Sequence, residues 1–148
     1  MKSRHKSREI ALQILYQYDL ALQQTGHPIP VGQKLIEDLL KHYEHFNVPE
    51  SLREFVGQLV AGTLTQLKAL DLVIEENAVN WKVSRMSSVD RSLLRMSTYE
   101  MLYLDPTVSR SIVIDEAIEI AKQFGTAESP SFINGILDSI QAKPSVVV

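Results

Sequence analysis

Cysteine is absent from this 148-residue chain, which excludes disulfides, thiolate zinc sites and a cysteine nucleophile and suits a reducing compartment. No run of about 18 apolar residues is present, so no segment is long enough for a membrane helix. The start is basic, but Glu9, Gln13 and Gln17 interrupt the next stretch and spoil the apolar core of a signal peptide. The expected location is the cytoplasm. Gly-rich phosphate loops are missing, in both the G-x-G-x-x-G and the Walker form, and no serine stands in a G-x-S-x-G setting. His42-Tyr43-Glu44-His45 sets two histidines three apart on one helical face, with no evident third ligand. An ordinary solvated helix accounts for it. The expectation is therefore no catalytic residue, no metal and no cofactor.

What is present is helical periodicity, and no stretch alternates apolar and polar residues long enough to argue a sheet. Ala11, Leu15, Tyr18 and Leu22 repeat at four-three-four spacing, and Gly26-His27-Pro28 stops that helix. A shorter helix carries Leu35, Ile36, Leu39 and Leu40. Pro49 suits the first turn of a third, which runs from Leu52 through Ile74 and is long enough to imply a spine or a break near Gly62. Ser88 is the expected cap of a helix through Leu93 and Met96, ended by Asp105-Pro106. Another holds Ile114, Ala117, Ala121 and Phe124, with Gly125 in the position of a left-handed C-terminal cap. Ser129-Pro130 reads as N-cap plus first residue of a last helix through Ile133, Ile136 and Leu137, and Val146-Val147-Val148 reads as a frayed tail.

The predicted fold class is thus all-α, with six to seven helices in antiparallel bundles. Residues 1–80 form the first bundle and residues 81–148 the second, the seam lying around Trp81. Asp115, Glu116 and Glu119 cluster carboxylates, which reads as first-turn acids opposing the helix macrodipole. Glu119 and Lys122 make an ordinary surface pair. Gly135 inside the last helix costs about 1 kcal/mol against alanine, and a close helix crossing is the expected reason for it.

Charge is the feature that points to a partner. Lys2, Arg4, Lys6 and Arg8 fall within the first eight residues without an acid, while the other 140 residues carry 11 bases against 18 acids. A basic arm on an acidic body predicts a local polyanion contact. On a helix Arg4 and Arg8 share a face, and either a helical or an extended arm can track a phosphate backbone. Tyr16 lies two turns past Arg8 and is either a base-stacking platform or a core residue with its hydroxyl at the edge.

Four stretches carry a resemblance. They are Arg4-x-x-x-Arg8-Glu9-x-Ala11-x-x-x-Leu15-Tyr16, then Val89-Asp90-Arg91-Ser92-Leu93-Leu94-Arg95-x-x-x-Tyr99-Glu100, then Ile114-Asp115-Glu116-Ala117-Ile118-Glu119-Ile120-Ala121-Lys122-x-Phe124-Gly125, then Phe132-Ile133-Asn134-Gly135-Ile136-Leu137-Asp138. Together they resemble the bacterial NusB antitermination family over essentially the whole chain. The resemblance implies two small helical bundles packed together. It also implies a transcription antitermination factor that binds single-stranded boxA RNA of ribosomal RNA leaders with the ribosomal protein NusE, within an RNA polymerase antitermination complex. By the same resemblance Lys2, Arg4, Lys6, Arg8, Tyr16, Lys122, Glu128 and Phe132 are RNA-binding. Tyr16, Asp90, Arg95 and Glu128 face the partner, with a structural ion pair an equal reading for Arg95. Association into a homodimer is left open. Two departures stand out: Ser3, His5 and Ser7 dilute the arm, and Glu128 replaces a common aspartate. Some ribosomal RNA cytosine methyltransferases carry a similar helical domain, but they need a nucleophilic cysteine. A protein-only scaffold is the other rival.

Overall fold

The computed structural model describes residues 2–105 and 107–140, and of Lys2 the backbone only. The expected helix stop at Pro106 and the tail Val146-Val147-Val148 lie outside the described residues, as does the Lys2 side chain. Among the described residues the protein has seven α-helices, one 3-10 turn and no strand. No helix is long and apolar enough to cross a membrane among those residues.

The chain divides into two units, residues 1–65 and 66–148. The first unit holds α1 (Lys2–Thr25), α2 (Gly32–His45) and α3 (Glu50–Thr65). Helix α1 buries Ile10, Ala11, Ile14, Leu15 and Tyr18, the spacing that puts one apolar stripe on a 3.6-residue period. It packs mainly on α3, which buries Val56, Leu59, Val60 and Thr63. Gly26 ends α1 with a φ of 70°, in the left-handed region that a Cβ disfavours. Its N–H donates to the Leu22 carbonyl at 3.0 Å. Helix α2 inserts Leu35, Leu39 and Tyr43, and the Tyr43 hydroxyl donates to the Arg53 carbonyl at 3.1 Å.

The second unit comprises α4 (Leu67–Asn77), a 3-10 turn (Val83–Arg85), α5 (Ser88–Tyr103), α6 (Arg110–Phe124) and α7 (Ser129–Ser139). Helix α5 is central, packing on α4, α6 and α7. Leu93, Leu94, Met96, Ser97 and Thr98 are all buried on it. Arg110 fastens the end of α7 by donating to the carbonyls of Leu137 at 3.0 Å, Asp138 at 2.6 Å and Ile140.

Several expectations are revised. The long third helix does break, but at Gln66, not Gly62. The division between units falls there and not near Trp81, because α4 packs on α5 and α7. Ser87, not Ser88, caps α5: its hydroxyl accepts the Asp90 N–H at 3.1 Å. Gly125 caps α6 with φ −98°, so its smallness is needed for another reason. A Cβ there would sit 2.6 Å from the Ser129 Cβ and 3.0 Å from the Ala121 carbonyl oxygen. Ser129 is the first residue of α7 rather than its cap, and its hydroxyl accepts the Thr126 N–H at 2.9 Å. Helix α6 starts at Arg110, so Asp115, Glu116 and Glu119 lie beyond its first turn. Gly135 is exposed and nothing lies within 4 Å of a Cβ built on it, so no helix crossing explains it.

Two glycines should respond in opposite directions. Gly26→Ala places a Cβ in the left-handed region and should lower stability by about 1 kcal/mol, whereas Gly135→Ala should raise it by up to about 1 kcal/mol. Urea unfolding of both variants measures the difference, and equal shifts would contradict it.

Candidate nucleic-acid interface

In the first unit the basic arm is the first two turns of α1, and its arginines do not simply face water. Arg4 and Arg8 share a face, as an i, i+4 pair must, and that face meets Phe55 of α3. The Arg4 guanidinium lies 4.2 Å from the ring centroid and that of Arg8 5.5 Å. Arg8 is only 4% exposed. Guanidinium planes stack on aromatic faces because the ring quadrupole attracts the cation and little hydration is lost. Lys6 points outward and lies 4.0 Å from the Glu9 carboxylate, which also holds His5 at 3.1 Å. The arm is thus a folded, partly neutralised helix start, and among its described side chains Lys6 and Arg4 are the cations that reach solvent. Ser3, Ser7, Ser51 and Gln58 join Arg4 and Phe55 around a polar hollow of about 300 Å³.

Tyr16 is half-buried on α1, whereas Tyr18 is buried. The Tyr18 hydroxyl donates to Asp38 at 3.3 Å, and burial together with that carboxylate pushes its phenol well above the usual range. His42 meets the Tyr18 ring edge-on at 5.1 Å, and burial lowers its pKa against the opposing pull of Asp38. Among the described residues no group of three or more His, Cys, Asp or Glu side chains could hold a metal. His42 and His45 instead make ring contacts, the latter with Phe46.

In the second unit Asp90, Glu128 and Phe132 converge. They line one groove of about 350 Å³ with Trp81, Arg85, Met86 and Ser87. Asp90 sits in the first turn of α5, Glu128 at the N-cap of α7 and Phe132 one turn further on. Trp81 meets Phe132 edge-on, with ring centroids 5.5 Å apart and planes at 71°. One Asp90 carboxylate oxygen, Oδ1, is buried without a hydrogen-bond partner among the described residues. The 3-10 turn that presents Trp81 and Arg85 is tied at both ends. Val83 N–H donates to Glu75 at 2.8 Å, and buried Arg91 donates to the carbonyls of Val83 at 3.1 Å and Met86 at 2.8 Å.

Two candidates stand apart from the groove. Arg95 makes a two-pronged pair with Asp71 of α4 at 2.8 and 2.9 Å, its side chain 12% exposed. Lys122 is exposed and paired with Glu119 at 3.3 Å, as expected. Trp81, Arg85 and Met86 are groove residues that sequence reasoning missed as site residues. The one signal for them is the lone tryptophan of the chain in a polar connection.

The NusB family model matches residues 5–142. The chain belongs to the NusB family. It is 41% identical over 141 residues to the transcription antitermination protein NusB of Desulfotalea psychrophila, covering 95% of this chain and 96% of that protein. It is 42% identical over 140 residues to the protein of the same name from Desulfatibacillum aliphaticivorans, covering 95% and 90%. Among solved structures the T. maritima NusB superposes with a TM-score of 0.78 at 30% identity, over 96% of this chain and 94% of that one. A structure of antitermination factors NusB and NusE with dsRNA has a TM-score of 0.77, at 23% identity over 95% and 96%, a likeness of fold. The all-α architecture is thus that of other NusB proteins.

The Arg95–Asp71 pair makes a stability prediction for this NusB-family chain. Arg95→Ala leaves Asp71 without its partner and should cost about 1–2 kcal/mol, since a two-pronged charge-assisted contact half out of solvent is lost. Thermal unfolding measures it, and an unchanged melting temperature would contradict a stabilising role for the pair.

Proposed function

We propose that this chain is a transcription antitermination factor. In this reading it binds single-stranded boxA-type RNA of ribosomal RNA leaders together with the ribosomal protein NusE, and helps RNA polymerase read through terminators in the cytoplasm. It acts by binding and catalyses no reaction. The observation that carries this reading is the family match along nearly the whole chain.

The arm and the groove suit different parts of a nucleic acid. Phosphate contacts give affinity and position, and base contacts give preference. Lys2, Arg4, Lys6, Arg8 and Lys122 are the proposed phosphate residues. Because Arg8 is buried and Lys6 has a carboxylate nearby, the charge available is less than the four bases of the arm suggest, and Lys122 is likewise paired with Glu119. Tyr16 and Phe132 are the proposed stacking residues. Tyr16, Asp90 and Glu128 are the proposed contacts to NusE, with Tyr16 and Glu128 shared with the RNA, whereas Arg95 is engaged by Asp71 and contributes by holding α5 against α4.

A protein of net charge −3 gains little from nucleic acid on its own, since long-range attraction follows the summed charge. A basic partner docked on it supplies the missing charge. RNA affinity should therefore rise when NusE is added. For this chain alone the slope of log affinity against log salt should be only about −1 to −2, from two or three neutralised phosphates. Fluorescence anisotropy of a labelled boxA RNA, a scrambled RNA and a duplex, with and without NusE at several salt concentrations, measures this. Equal, feeble binding to all three despite NusE docking leaves a protein scaffold instead.

A further inference from the structure

We propose that the groove bounded by Trp81, Arg85, Asp90 and Phe132 receives one unstacked base of the bound RNA, stacked on the indole of Trp81. This rests on the RNA-binding reading above and adds a residue and a mode of contact to it.

Trp81 is 49% exposed, although an indole left in water forgoes a large burial gain. It is nevertheless held by its neighbours. The edge-on contact with Phe132 sets its tilt, and the adjoining 3-10 turn is anchored through Val83 and Arg91. With half of its surface exposed, the indole keeps area on which a base can stack. The groove, at about 350 Å³, lies near the lower limit of roughly 300–1,000 Å³ for small-molecule sites. It has room for a single base.

Charge decides which part of a nucleotide enters. Asp90 and Glu128 bring two carboxylates to the wall against the one guanidinium of Arg85, so a phosphate is repelled from the interior while an uncharged base is not. Arg85 is exposed and can meet a phosphate of the strand as it passes outside. The carboxylates of Asp90 and Glu128, both lining the groove, bring acceptor groups to its wall. Aromatic stacking with acceptors at the edge is how proteins hold splayed RNA bases.

Trp81 is the only tryptophan in the sequence, so its emission reports on the groove directly. With NusE present and the Trp81→Phe protein as blank, titrating boxA RNA should quench that emission in step with the anisotropy rise. Replacing nucleotides one at a time by an abasic residue should abolish the quench at a single position. Trp81→Ala should weaken RNA binding by about five- to a hundredfold, the worth of one base–aromatic stack, and Trp81→Phe should keep most of it. Circular dichroism melts establish that both variants fold, and the wild-type quench decides the matter if Trp81→Ala does not. Full anisotropy with unchanged emission and undiminished Trp81→Ala binding would overturn the proposal while leaving RNA binding intact. NusE alone altering the emission, with RNA adding nothing, would put a protein side chain in the groove and overturn it too. No anisotropy change with any RNA would defeat the RNA-binding reading itself.

Discussion

A guanidinium buried to 4% exposure at Arg91 needs partners, because a charge taken out of water without hydrogen bonds is strongly unfavourable. It finds them in the carbonyls of Val83 and Met86, at the start of the 3-10 turn and just past its end. The connection from α4 to α5 is thereby held in one path, reinforced by Glu75 accepting the Val83 N–H. Trp81 stands two residues before this anchored turn, and Arg85 lies within it. The groove wall formed by Ser87 and Asp90 comes next along the chain, since Ser87 begins α5 by accepting the Asp90 N–H. Without the Arg91 anchor these side chains would hang on an irregular loop with no fixed relation to Phe132.

The first unit uses aromatic rather than carbonyl partners for the same purpose. Phe55 draws Arg4 and Arg8 onto α3, which extends α1 to its first described residue and gives the start of the chain a helical shape. The cost in free charge is real, because Arg8 is covered and Glu9 sits beside Lys6. A preformed arm loses less conformational entropy on binding than a disordered one. The NusB-family chain therefore holds a modest set of cations on a preformed helix, which fits the proposed sharing of RNA with a basic partner.

Much of this is legible in the residues alone. The period-3.6 stripes place the helices, and Gly26 ends α1 where a left-handed residue is expected. The motif runs around Asp90, Glu128 and Phe132 point to residues that the fold does gather into one groove. Caps are less legible. Ser87 and Ser88 are chemically equivalent candidates one residue apart, and only the direction of the entering backbone selects between them. Gly125 and Gly135 mislead for a related reason: a glycine's letter does not say whether φ, a neighbour at 2.6 Å or nothing at all requires it.

The sequence by itself determined the helices, the absence of cysteine chemistry, the basic start and the family. These depend on side-chain type and spacing along one chain, which a period and a motif capture. Only the tertiary structure decided that Arg8 lies over the Phe55 ring, that Arg95 pairs with Asp71, and that Trp81 completes a groove. Those facts concern residues far apart in the chain, and an arginine carries the same charge whether it meets phosphate, carboxylate or an aromatic ring. Which of these it meets depends on what packing brings within reach, and that geometry is not written in local sequence.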